Sequence, residues 1–135
     1  MNNPQKLHRR TPPGATAWTL PLSYDRPPLS LNDRMHWAQR SRITKALRHE
    51  TATLARAARI PACTHVTVTL HYVPKQNRRI DADNRVATSK PCVDGLVDAG
   101  VIPDDNPKFI NHRMPVIHPA DKHATRRVWL EVRAT

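Results

Sequence analysis

The stretch THVTVTLHYV, residues 64 to 73, alternates in character along its length. Val66, Val68, Leu70 and Tyr72 fall on one side, and threonine and histidine fall on the other. Successive side chains of an extended chain point to opposite faces, so this period of two predicts a strand with one buried and one polar face. On its N-terminal side the period changes. From about Trp37 to Ala58, Ile43, Leu47, Leu54 and Ala58 share one helical face, the arginines lie largely elsewhere, and Pro61 ends the run. Still earlier, Trp18, Leu20 and Leu22 alternate, predicting a strand near 15 to 22. The segment SYDRPPLSLND, residues 23 to 33, has the composition of a loop.

On the C-terminal side KQNRR is a basic turn, and a second helix is predicted between Asn84 and Ala99. Val93, Leu96 and Val97 form its apolar stripe, and Gly100 is a natural stop. Pro91 is awkward inside a helix, so Ser89 is read as its cap with Pro91 in the first turn, leaving 84 to 88 as a separate turn. VIPDDNP is a loop. FINHRMPVI and RRVWLEV are the last two strands, with Val128, Leu130 and Val132 inward. The order β-α-β-α-β-β predicts an α+β (α/β-like) domain: one mixed sheet with two helices packed on it.

A chain of 135 residues fits one domain with a real core. Residues 1 to 14 are polar, basic and proline-rich and are read as a flexible arm, leaving 15 to 135 as the domain. Lys and Arg number 22 against 11 Asp and Glu, and sixteen of the cations are arginine. The guanidinium fork matches phosphate, so this balance points to a polyanion partner, nucleic acid first. No apolar run is long enough to span a membrane, and MNNPQKLHRRTPPG lacks the apolar core of an export signal. The expected location is a bacterial cytoplasm and nucleoid. Cys63 and Cys92 form no C-x-x-C pair, and the eight histidines lack zinc-ligand spacing.

Against this basic background, six of the eleven carboxylates fall between residues 81 and 105: Asp81, Asp83, Asp94, Asp98, Asp104 and Asp105. Each has an ordinary explanation. Asp83 can cap a helix, Asp104-Asp105 suits a turn, and Lys90 with Asp94 is an i, i+4 pair. Together they suggest more. Asp81 and Asp83, two apart at the end of a predicted strand, would share a face and repel unless a cation lies between them. Mg2+ is the obvious candidate, being hard and oxygen-seeking. Carboxylates repel phosphate, so a DNA-binding chain would gain affinity by losing them, and keeping them makes sense if metal ions screen them when DNA is bound. Metal-assisted phosphodiester hydrolysis, with Lys90 stabilising developing negative charge, fits such a set. Arg78 and Arg79 stand where a scissile phosphate would approach.

DADN (81 to 84), Lys90, Asp94 and DAGVIPDD (98 to 105) together resemble the RusA family of Holliday junction resolvases. RPPLSLN, ending at Asn32, resembles that family's N-terminal loop, and the resemblance covers roughly residues 17 to 132. It implies a homodimeric, Mg2+-dependent endonuclease, with Mn2+ as a substitute, that cuts four-way DNA junctions by paired nicks in recombination and repair. It assigns Asp81, Asp83 and Asp105 to metal binding with Asp104 beside them, and Lys90 to the catalytic lysine. Asn84 and Asp94 take supporting places. Arg78, Arg79, Arg85 and Asn32 become the expected DNA contacts. The interval from DADN to Lys90 is a few residues wider than in the family, which makes Arg85 the alternative basic residue. Two other readings stay open: a metal nuclease for other branched DNA or for RNA, and a non-catalytic DNA-binding protein whose acidic window is caps and turns.

Overall fold

The computed structural model describes residues 16–135, so the predicted arm, residues 1 to 14, and its boundary lie outside the described residues. The elements are β1 (Ala17–Pro21), α1 (Trp37–Ala57), β2 (Val66–Tyr72), a 3-10 turn (Ala82–Arg85), α2 (Val86–Asp98), β3 (Ile110–His112), β4 (Val116–Ile117) and β5 (Val128–Ala134). They form a small α+β domain with one mixed five-stranded sheet and two helices, as the alternation predicts.

β2 is the hinge of this sheet. It pairs antiparallel with β5 on one side, and β5 pairs antiparallel with β1. On its other side β2 pairs in parallel with β3 and, further along, with β4. A parallel return needs a long crossover, and the 3-10 turn and α2 supply it. The inward residues of the strand pattern are buried: Val66, Val68, Leu70 and Tyr72 from β2, with Val128, Leu130 and Val132 from β5. They join Leu47 of α1 and Val93 and Leu96 of α2 in a single core cluster.

The segment FINHRMPVI is one predicted strand and two observed ones. Val68 pairs with His112 and His71 with Val116, so three steps along β2 match four along its partner. The extra residue is a bulge. Pro115 lies within it, where its missing N–H costs no ladder bond.

α2 begins at Val86, three residues before the predicted cap, and Ser89 is buried within it. Pro91 removes only its own N–H bond to the carbonyl four residues back. The burial of Pro91, Cys92, Val93 and Leu96 holds the helix through that gap. Its end is as predicted. Gly100 adopts φ 80°, its N–H donates to the Val97 carbonyl, and the Val101 N–H donates to that of Leu96. This pair of bonds satisfies the last carbonyls of the helix. α1 and α2 meet at Gly95: an added Cβ there would lie 2.5 Å from the Arg48 carbonyl oxygen. Beside this contact Arg48 grips the Asp98 carboxylate with two bonds, of 2.6 and 2.8 Å.

Candidate functional site

The acidic window does not act as one group. Asp98 belongs to the helix pair: Arg48 holds its carboxylate and Arg56 donates to its main-chain carbonyl at 3.1 Å. The bond to Arg48 draws the Asp98 carboxyl below its ordinary range. Asp104 serves its turn, accepting from the Asp105 N–H at 2.7 Å and from the Asn106 side-chain amide at 2.9 Å.

Lys90, Asp94 and Asp105 do converge. The Lys90 ammonium donates to Asp94 Oδ1 at 3.4 Å and, more closely, to Asp105 Oδ2. The bond to Asp105 raises the lysine above its ordinary value, and the same bond draws Asp105 down. An ammonium in this position stays charged throughout the neutral range.

Asp81 and Asp83 precede this cluster in the chain, but not on a strand. Asp81 is extended at the threshold of the 3-10 turn and Asp83 lies inside it, so the expected shared face of a strand is absent. Local hydrogen bonding within 81 to 85 replaces the pleat. Neither residue caps a helix either: no side-chain cap bond forms at the start of the turn or of α2. Both are exposed, and Asp81 lies 3.9 Å from the Arg79 guanidinium.

The proline-rich loop packs directly on this segment. The Thr88 hydroxyl accepts from the Leu29 N–H at 3.0 Å and donates to the Leu29 carbonyl at 2.7 Å, and the Leu31 N–H donates to the Asn84 carbonyl. Asn32 is thereby held one residue from a direct contact with the DADN turn. Arg78 and Arg85 line a cleft of about 580 Å3 on the same side of the turn, whereas Arg79 projects into solvent. Among the remaining basic residues, Arg127 is structural: it is buried and donates to the carbonyls of Val73 and Asp121. Trp18 is a core residue, while Trp37 is exposed.

The sequence reading missed His112. It ends β3 with its Nε2 buried and without a hydrogen-bond partner among the described residues. Burial and then the charge of Lys90 push its imidazole below the ordinary value. A lone histidine in a short strand gives no local pattern to find it by.

The donor chemistry around Asp81, Asp83 and Asp105 is all carboxylate oxygen, which suits a hard divalent cation. Among the described residues, however, no three His, Cys, Asp or Glu side chains gather as a ready metal site. With these side-chain positions the Lys90 ammonium neutralises Asp105.

Fold and site thus define a basic α+β domain with a carboxylate–lysine cluster at the root of a crossover helix. No family model matches the chain. A protein of Xylella fastidiosa strain Temecula1, described as an uncharacterized protein, is 32% identical over 111 residues, covering 78% of this chain and 70% of that one. The chain belongs to the same family as that Xylella protein. No helix among the described residues is long and apolar enough to cross a membrane.

Proposed function

We propose that the protein is a RusA-type endodeoxyribonuclease that depends on Mg2+ and resolves four-way DNA junctions by paired nicks. The observation that carries this reading is the convergence of Lys90, Asp94 and Asp105 beside a turn bearing two uncapped aspartates. On a chain of formal net charge +11, exposed carboxylates that serve neither caps nor the helix pair need another use. Asp81, Asp83 and Asp105 would hold the cation, and Mn2+ would substitute. When bound, that cation supplies a Lewis acid for the phosphoryl oxygen and a source of activated water. Lys90 places a fixed positive charge where the transition state gains negative charge. The loop carrying Asn32 and the residues Arg78, Arg79 and Arg85 receive the DNA backbone. A four-way junction has approximate two-fold symmetry, so a homodimer with one site on each of two opposed strands makes symmetric cuts without a second protein.

A second reading has one observation in its favour. Lys90 already neutralises Asp105, and no ready set of three ligands is gathered among the described residues. That suits a DNA-binding protein without catalysis. Cleavage of a labelled four-way junction, beside linear duplex of the same sequence, separates the two. The expected result is paired nicks near the branch point, with Mg2+ and not with EDTA, lost in Asp83→Asn while junction binding persists. Folded protein that binds the junction and cuts neither DNA with Mg2+ would overturn the nuclease reading.

A further inference from the structure

The cleft of about 580 Å3 beside the DADN turn, lined by Arg78 and Arg85, carries two further cations that the nuclease reading does not use, Arg26 and Lys75. Four cations line it, Arg26, Lys75, Arg78 and Arg85, against two carboxylates, Asp25 and Asp33. Both carboxylates are already engaged. Asp33 accepts the Ser30 N–H at 2.8 Å, closing its own turn, and Asp25 lies 3.6 Å from the Lys75 ammonium. Arg85 is the informative residue. Its Nε is buried and has no hydrogen-bond partner among the described residues. A buried donor on a charged group is costly to leave unmet, and Arg85 also lines the cleft, so its guanidinium has hydrogen-bonding capacity still unused there. With four cations against two carboxylates the lining is net positive, so an anionic acceptor suits it. A phosphate diester meets this need with two free oxygens that match a guanidinium fork.

The cleft also has a definite place in the fold. Arg85 closes the 3-10 turn that begins at Ala82, so one wall of the cleft is continuous with the segment carrying Asp81 and Asp83. Its opposite wall is the start of the proline-rich loop, which Thr88 anchors to α2.

We infer that this cleft is a docking site for a backbone phosphate of DNA away from the cut, held by Arg26, Lys75 and Arg85. The inference rests on the nuclease reading for its choice of DNA as the polyanion. Occupation of the cleft fixes the approach of the strand to the aspartates. Arg26 and Lys75 are exposed and outside the core, so replacing both leaves the fold intact.

The test is junction binding by full-length protein, followed by fluorescence anisotropy in EDTA from 50 to 300 mM KCl. Wild type is set beside the double variant Arg26→Ala/Lys75→Ala, with Arg85→Lys as the conservative change and a thermal melt to confirm folding. Each phosphate contact contributes roughly 0.9 to the slope of log affinity against log salt. The double variant is expected to bind at least tenfold more weakly at 100 mM KCl, with a slope smaller by about one to two such contacts. Arg85→Lys keeps the charge and loses the fork, so its affinity falls while its slope holds. Wild-type affinity and slope in the double variant would overturn the docking site and leave the nuclease reading standing. Wild-type protein that binds no junction at all removes the nuclease reading, and the docking site with it.

Discussion

Gly95 and Gly100 show how one residue type serves two physical ends five positions apart. At Gly95 the constraint is space: a Cβ would meet the Arg48 carbonyl oxygen at 2.5 Å and Thr51 Cβ at 2.9 Å, so the helices would have to separate. Gly95→Ala is expected to cost about 1–3 kcal/mol, as overpacking in a tight contact does, read as a lower midpoint in urea. At Gly100 there is nothing within 4 Å of the added carbon, and the constraint is φ 80°. Gly100→Ala should cost about 1–2 kcal/mol. Gly100→Asn should recover part of it, because asparagine tolerates that backbone region. Equal losses for alanine and asparagine at 100 would show that the strain is not conformational. The same scale governs Lys90. Its bond to Asp105 lifts it above 10.5, so a rate that uses its cation is complete at neutral pH and declines only as pH climbs through that raised value. Lys90→Ala should lower junction cutting by about 100-fold or more with binding retained. A rate near wild type would remove Lys90 from the catalytic role.

The elements were legible where a period or a stop is local. β2 and β5 bury the alternate residues that their sequences mark, and Gly100 ends α2. What failed was what packing decides. Pro91 argued for a helix starting at Ser89, but the burial of the residues around it carries α2 back to Val86. The D-x-D spacing argued for a shared strand face, but a 3-10 turn forms instead. The Lys90–Asp94 contact follows from helical spacing alone, whereas Asp105 reaches Lys90 across a turn that sequence spacing does not fix. The junction of loop and α2 gives a test at this scale. Thr88 satisfies both polar groups of the Leu29 backbone in a buried position. Thr88→Val keeps the shape and strands both, at about 1–3 kcal/mol for each buried group left unmet. Hydrogen exchange at the Leu29 amide should accelerate far more than exchange in β2. Unchanged protection there would mean that the loop is held by something other than Thr88.

Across the whole molecule, acid should act on this fold in two separate windows. The upper one belongs to histidine. His112 is pushed down from 6.5 by burial and then by Lys90, and His118 by burial and then by His71. A folded value below the unfolded one means that the native state binds fewer protons, so this stability is complete above pH 6.5 and is lost as pH falls through the depressed values. The lower window belongs to carboxylates. Asp98, held by Arg48, and Glu131, held by Arg133 and then His71, are drawn below 3.8 and 4.5. Their contribution survives the histidine window and disappears only in stronger acid. The urea midpoint of wild type should therefore decline on going from pH 7.5 to 5, before Asp98 and Glu131 titrate. His112→Asn should flatten part of that decline and leave the fall below pH 4 in place. The cause of the shift can be separated from burial by proton NMR of the His112 ring. Its titration midpoint should lie below 6.5 in wild type and move upward in Lys90→Ala, because removing the ammonium removes one of the two effects that favour the neutral ring. A midpoint that ignores Lys90 would put His112 outside the lysine cluster, and only its burial would then account for the shift.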